Sequence, residues 1–217
     1  MAEPINRLPD PQQYDDPIQF LRAAHAVIIK ELDLLKKLLT DVQSQGLAES
    51  FRTKSEWLEI FHFFTNSVGQ HEEDEEEALF PYLRERVPKL GFQLPDAPIH
   101  FLTQGHNLLR TRVEELVKVW RGFQKGESLE ATHFIAAGYE LNSLYKDHIA
   151  MEEKAVYQPA NEVLSPMERV AIMDTIQSNH SKSRFMEAPQ FERPTVSGNY
   201  DLQIVMRRRS NNDDHSR

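Results

Sequence analysis

The chain has no cysteine among its 217 residues, which excludes disulfide frameworks, thiolate zinc sites, iron–sulfur clusters and cysteine nucleophiles. Any metal must therefore be held by nitrogen and oxygen. Positive charge is also in short supply: 25 lysines and arginines face 34 aspartates and glutamates, a formal net charge of -9. That balance argues against nucleic acid and anionic membrane as partners, since both reward a basic surface, and it suits a metal or a basic partner. No apolar run is long enough to span a bilayer, and the opening residues, MAEPINRLPDPQQYDD, lack the apolar core of a secretory signal. A soluble, cytoplasmic protein is the expectation. The body of the chain shows no convincing alternating strand.

What is present is helical punctuation. Asp16, Pro17 and Gln19 read as the N-cap, first residue and third residue of a helix that runs to about Gln45, ahead of Gly46. TKSE, residues 53 to 56, is a capping box that opens a second helix, expected to bend or end at Pro81. A third begins near DAPIH with Pro98 at its start and stops at about Gly126. A fourth runs from about Ser128 to Gln158, ahead of Pro159, and SPME, residues 165 to 168, opens a shorter fifth. Four long helices with mostly short connections imply an all-α, up-down-up-down four-helix bundle over residues 16–160. Residues 1–15 form an N-terminal arm and 161–186 a short additional helix. Residues 187–217, with proline, glycine and mixed charge but no helical period, are expected to be extended or disordered. The RRR at 207 to 209 reads as a solvated run.

The stretch HEEDEEEALFPYL, residues 71 to 83, places one histidine and six consecutive acids between apolar segments. An isolated acidic block is usually a solvated face. Here the helical period points some of it inward, because each long helix carries one histidine on its apolar stripe. His25 shares a face with Ile18, Leu21, Ile28, Ile29 and Leu32, and His71 with Trp57, Phe64, Val68 and Leu79. His106 lies with Ile99, Leu102, Leu109, Val113 and Trp120, and His148 with Phe134, Ala137, Leu141, Leu144 and Ala155. A single histidine on such a stripe is more often a hydrogen-bonded core residue than a ligand. Depth separates the two readings: His25 and His106 lie about 12 Å into the first and third helices, and His71 and His148 about 15 Å before the ends of the second and fourth. With alternating helix directions, all four fall in one layer.

Glu75 follows His71 by four residues and Glu152 follows His148 by four, so each pair shares a helical face. Two buried carboxylates without a positive partner would cost several kcal/mol or take up protons. A pair of divalent metals removes that cost, with four imidazoles and two carboxylates able to bridge, and leaves positions open for water, oxide, dioxygen or peroxide. Glu72, about 100° from His71 around the helix, is a candidate seventh ligand. Glu73, Asp74, Glu76 and Glu77 are expected to face water or to supply negative potential. His100, His180 and His215 are expected at the surface or in the tail. A ferritin-like alternative rests on two E-x-x-H motifs, Glu59 with His62 and Glu130 with His133. His62 is turned about 180° from the His71 stripe, and Glu130 falls in a first helical turn, where the helix dipole favours it without a metal.

A first-helix histidine, H-x-x-x-E followed by ALFP, a third-helix GHNLL and a fourth-helix H-x-x-x-E-E together resemble the hemerythrin-like, HHE cation-binding family over about residues 15 to 160. The resemblance implies a four-helix bundle around two non-haem iron ions with a bridging oxide, hydroxide or water. The matching ligands would be His25, His71, Glu75, His106, His148 and Glu152, with dioxygen or hydrogen peroxide as the small ligand. Oxygen-carrying members have five histidines, including a pair four apart on the third helix; here Leu102 and Arg110 stand at that spacing from His106. The chain is therefore more similar to the histidine-poorer members that sense iron or consume peroxide. Two functions are implied: a redox protein, with peroxide-consuming (catalase-like) or oxidase activity, and a non-enzymatic iron or oxygen sensor whose C-terminal tail contacts a protein partner.

Overall fold

The computed structural model describes residues 8–46, 54–84, 97–124 and 131–185; Thr53, Glu130, His215 and the tail 187–217 lie outside them. A short 3-10 turn, Pro11–Gln13, precedes α1 (Pro17–Gln45). Asp16 caps α1 by accepting from the Gln19 N–H at 2.9 Å, and Gly46 ends it at φ 83, in the left-handed region that glycine tolerates without strain. The second helix, α2, runs continuously through Lys54–His62, Phe63–Ser67, Val68–Glu73, Asp74–Leu79 and Phe80–Arg84. It is followed by α3 (Ala97–Gln124), by α4 (Ala131–Glu152, Glu153–Tyr157 and Gln158–Val163), and by α5 (Pro166–Phe185). Among the described residues there is no strand.

α2 runs on past Pro81, where the sequence leads one to expect a bend or an end, and α4 runs on past Pro159, where an end is expected. A proline inside an α-helix loses one hydrogen bond, and its ring clashes with the carbonyl four residues earlier. Those carbonyls belong to Glu77 and Ala155, and both lie in π-helical segments, Asp74–Leu79 and Glu153–Tyr157. The Phe80 N–H reaches the Glu75 carbonyl and the Gln158 N–H reaches that of Glu153, each five residues back, so the widened turn makes room for the ring.

α4 packs against both α1 and α3. The α1 and α4 partners come in opposite order along the two chains: Asn142 donates to the Leu32 carbonyl at 2.6 Å, while His25 stacks on Tyr157. α3 meets α4 in the same opposed sense, Arg112 near Glu140 and Gly105 against His148. α2 contributes Trp57 and Phe61 to an aromatic group with Trp120 and Phe134. The buried apolar residues fall into two clusters, one containing Ile28, Val68, Leu109 and Tyr145, the other Leu21, Leu79, Leu102 and Val156. On each of α1 to α4 the histidine comes between a member of one cluster and a member of the other. Ile29 and Ala137, expected on the histidine stripes, face solvent; α1 is rotated so that Ala24 and Ile28 flank His25 on the buried side.

α5 is 20 residues long, shorter than α1 and α3, and lies within the 161–186 segment expected to carry an additional helix. Ser165 and Glu168 form the anticipated capping box, with the Ser165 N–H donating to Glu168 Oε2 at 2.8 Å and the Glu168 N–H to Ser165 Oγ at 3.4 Å. Ile172, Met173 and Ile176 bury themselves in the second apolar cluster, alongside Leu79 and Phe80 of α2. α5 therefore covers the flank of the acidic segment that a four-helix arrangement alone would leave to water. No described helix is long and apolar enough to cross a membrane.

Candidate metal centre

Between the two apolar clusters lies a layer of imidazoles and carboxylates. Ligand-type atoms of His25, His71, Glu75 and Glu152 lie within 4.8 Å of one another, and those of His106, His148 and Glu152 form a second such group. Glu152 joins the two. Its Oε2 is 3.2 Å from His25 Nε2, and its Oε1 is 3.0 Å from His106 Nε2 and 2.7 Å from His148 Nε2. Glu75 Oε2 lies 3.3 Å from His106 Nε2 and 3.9 Å from His71 Nε2. All six side chains are buried except that of His148, which is 11% exposed.

These residues fit a metal on three counts. His71 Nδ1, Glu75 Oε2 and His148 Nε2 are buried without a hydrogen-bond partner, which is costly unless another species takes up their lone pairs. His148 Nε2 approaches Glu152 Oε1 closely yet out of line for a hydrogen bond, as two atoms do when they are aimed at a third point. The cavity between them, of about 10 Å³, is on the scale of one water or ion and far below the size of an organic ligand site. Imidazole and carboxylate donors suit iron and other first-row metals.

A second ring of residues aims the histidines. His106 Nδ1 donates to Glu76 Oε1 at 2.7 Å, and His25 Nδ1 to Glu153 Oε1 at 3.0 Å, so each ring turns Nε2 toward the centre. Arg110 in turn holds Glu76 at 3.1 Å, and Arg22 holds Glu153 at 2.9 Å. Tyr157 stacks on His25 with ring centroids 4.9 Å apart and donates its hydroxyl to Glu75 Oε1. Glu72 is buried but turned to Arg110 Nε at 2.5 Å, and it belongs to neither group. A groove of about 320 Å³ lies outside this Arg110 network, between α2 and α3, with Glu73, Glu77 and Glu114 on its walls.

Two expectations for the acidic block need correction. Asp74 does not face water: it is fully buried, and its Oδ2 accepts from His180 Nε2 at 2.7 Å, because α5 covers that flank of α2. His180 is accordingly a buried residue and not a surface one. Glu76 is only part exposed and grips His106 across the α2–α3 seam. Glu73 and Glu77 are exposed, and so is His100, which bonds Gln104. Glu59, His62 and His133 belong to neither group, and Glu130 lies outside the described residues.

With no ion counted, the layer balances its own charge. Burial disfavours the His25 imidazolium, but hydrogen bonds to Glu152 and Glu153 outweigh it and raise the group to about 9. His106 is raised to about 12 in the same way, burial being overcome by Glu152, Glu75 and Glu76. Burial, together with the charge of His25, holds His71 well below the usual histidine range. The carboxylates part company. Burial and the neighbouring Glu152 charge push Glu75 up, whereas His106, the adjacent His148 imidazole and His25 overcome burial and hold Glu152 well down.

Gly105 sets the position of His148. A Cβ at residue 105 would stand 2.7 Å from His148 Nδ1 and 2.8 Å from its Cε1, inside contact distance. Gly105→Ala gains about 1 kcal/mol of helix propensity, so α3 should persist, while the His148 ring must move. We expect a helical protein whose metal affinity is about tenfold weaker, the scale on which displaced ligands and their supports act. Circular dichroism and metal titration of the variant check both halves of the expectation.

The outer partners carry a sequence signal that spacing between ligands does not reveal. His71, Glu75, Glu76 and Phe80 repeat as His148, Glu152, Glu153 and Tyr157, an H-x-x-x-E-E-x-x-x-aromatic pattern used once on α2 and once on α4. In each copy the first glutamate faces the centre, the second holds the histidine of a neighbouring helix, and the aromatic ring stacks on that same histidine.

The family model for the hemerythrin HHE cation-binding domain matches residues 16–160. No curated protein and no solved structure matches the chain. α5 lies beyond the matched stretch, whereas every side chain of the two groups lies within it. With about two thirds of its length matched and a buried imidazole–carboxylate layer able to hold cations, the chain belongs to the hemerythrin family of HHE cation-binding domains.

Proposed function

We propose that the chain is a non-haem diiron protein, an up-down-up-down bundle in which His25, His71, Glu75, His106, His148 and Glu152 hold two iron ions that react with dioxygen or hydrogen peroxide. The observation that carries this reading is the pair of groups joined through the two oxygens of Glu152, with His71 Nδ1, Glu75 Oε2 and His148 Nε2 left unpartnered. Bound iron supplies the redox and Lewis-acid chemistry that imidazoles and carboxylates lack. The protein's own part is orientation and exclusion. Glu76 and Glu153 keep the Nδ1 protons of His106 and His25, leaving each Nε2 lone pair for the centre. The apolar clusters on either side keep bulk water out, and the Tyr157 hydroxyl holds a proton at Glu75 Oε1. Glu72 stays with Arg110.

A sensor of iron or oxygen is the second reading. It is favoured by α5, which lies outside the matched family region yet touches the ligand-bearing segment through His180 and Asp74 and leads into the tail, a candidate contact for a protein partner.

Metal analysis of protein from iron-supplemented cells should find about two iron ions per chain. His71→Ala and His148→Ala should lose most of it and His62→Ala none; iron lost in His62→Ala but kept in His71→Ala would refute the ligand set. Four imidazoles and two carboxylates favour the oxidised metal. The reduced protein should therefore oxidise in air and not recover under argon. Oxygen release on adding peroxide then supports the redox reading, and its absence supports the sensor.

A further inference from the structure

An ion bound in the buried layer must first cross the side chains that separate it from solvent, and a metal site needs an entry path. Between α2 and α3 lie two adjacent chambers. The outer one is the groove of about 320 Å³, which sets Glu73, Glu76, Glu77 and Glu114 around one guanidinium, that of Arg110. The inner one is the small cavity of the centre, where Glu72 stands beside His71 and Glu75. Neighbouring residues of α2 face the two chambers: Val68 and Glu72 line the inner, Gly69 and Glu73 the outer. On α3, one turn apart, His106 lines the inner and Arg110 the outer. Arg110 closes the seam. Its Nε donates to Glu72 Oε2 at 2.5 Å and its Nη2 to Glu76 Oε1 at 3.1 Å, so a guanidinium of the outer chamber is fastened to a carboxylate of the inner one.

We propose that this groove is the port through which a divalent cation enters and leaves the centre, with Arg110 as its gate and Glu72 as the carboxylate that passes the ion inward. The inference rests on the metal-binding reading above and gives work to two residues that hold no metal in it. The mouth gathers cations, because four carboxylates around one guanidinium in a concave wall focus negative potential there. Acids alone would make only a solvated face. What makes this groove a port is its inner end, where His71 Nδ1, Glu75 Oε2 and His148 Nε2 are buried without a hydrogen-bond partner. The gate also has a second place to go: the Arg110 side chain is 40% exposed, and Glu114 follows it by four residues on α3, within reach of its guanidinium. A cation arriving at Glu76 and Glu72 repels the guanidinium, takes its place on the two carboxylates and sends it to Glu114. Glu75 follows Glu72 by three residues on the same helix, so the ion steps inward from one carboxylate to the next. Arg110 then returns to Glu72, the pairing the structure holds.

Stopped-flow absorption of cobalt(II) uptake by the metal-free full-length chain, and of cobalt release to excess chelator, tests the port without any turnover. A gate is a barrier and alters both rates, whereas a residue that only supports a ligand acts mainly on release. Arg110→Ala should speed uptake and release alike, each about tenfold, the scale of one hydrogen bond to a charged group. Gly69→Leu fills the groove from a position where an added Cβ meets nothing within 4 Å, and it should slow both rates several-fold while the chain still binds as many ions. Wild-type uptake should itself slow as ionic strength rises, since the field of the groove is then screened. Faster release from Arg110→Ala with wild-type uptake would reduce Arg110 to a support for Glu76 and overturn the gate. Wild-type rates in Gly69→Leu, or wild-type uptake indifferent to salt, would overturn the port and leave the metal centre standing. A wild-type chain that takes up no cobalt would overturn the centre and this inference with it.

Discussion

Stripped of metal, the protein is expected to lose stability steadily as the pH rises from about 6.5 to 9, while the metal-loaded form does not. The sign follows from His25, raised from 6.5 to about 9 in the folded chain. Below about 6.5 both folded and unfolded chains hold that proton, and its ion pairs with Glu152 and Glu153 contribute fully. Between the two values only the folded chain holds it, so each step up in pH removes stability, on the order of 3 kcal/mol by about pH 9. His106, raised to about 12, extends the loss to higher pH. Burial adds to it by raising Glu72 to about 7 and Asp74 to about 6, and by raising Glu75. The folded chain keeps these carboxyl protons after the unfolded chain has released them, which is the same sign. Glu152 and Glu153 act oppositely: their folded values are depressed, so their contribution is present above about pH 4.5 and is lost only on acidification. The metal-free protein should therefore be most stable near about pH 4.5 to 5. Metal takes the place of the imidazolium protons and gains affinity as they leave, so the difference in Tm between loaded and chelated protein should widen from about pH 6 to about pH 8.5. Thermal unfolding with and without chelator measures it. A difference that narrows with rising pH would contradict the layer's charge balance.

Local signals suffice for the helices, because capping is written in neighbouring residues. Asp16 with Gln19, and Ser165 with Glu168, make the bonds their spacing anticipates. The four histidines are equally legible, since imidazoles at one depth on four apolar stripes must meet when the stripes pack together. What helical period alone does not convey is a change of period itself. The π segments Asp74–Leu79 and Glu153–Tyr157 let α2 and α4 continue through Pro81 and Pro159, where an α-helical reading bends or stops them. Nor does the period of one helix say what lies against its far side. A core of four helices has no use for Asp74 and would leave it to water; it is α5 that supplies His180. Glu76 and Glu153 are hidden differently: each serves the histidine of another helix, a relation visible only once α2 and α4 are aligned as copies.

His180→Ala should be among the most damaging substitutions outside the two ligand groups. Asp74 is fully buried, its Oδ1 already lacks a partner, and Oδ2 depends on His180 Nε2 at 2.7 Å. Removing the imidazole leaves a buried carboxylate oxygen without its hydrogen-bond donor, a loss of about 1 to 3 kcal/mol for an unsatisfied buried group. Because burial already raises Asp74 to about 6, part of that cost will be met by proton uptake. The loss should therefore be larger at about pH 8 than at about pH 5.5. Asp74→Asn in the His180→Ala background removes the charge and should recover part of the stability at about pH 8 but little at the lower pH. The consequence for the centre follows from chain geometry: Asp74 immediately precedes Glu75, on the same π-helical segment, so α5 and the ligand are tied within one residue. Urea unfolding at the two pH values separates this account from simple loss of packing. A pH-independent loss, unaffected by Asp74→Asn, would mean that His180 acts only as a filler against Phe20, whose ring it meets edge-on at 5.8 Å.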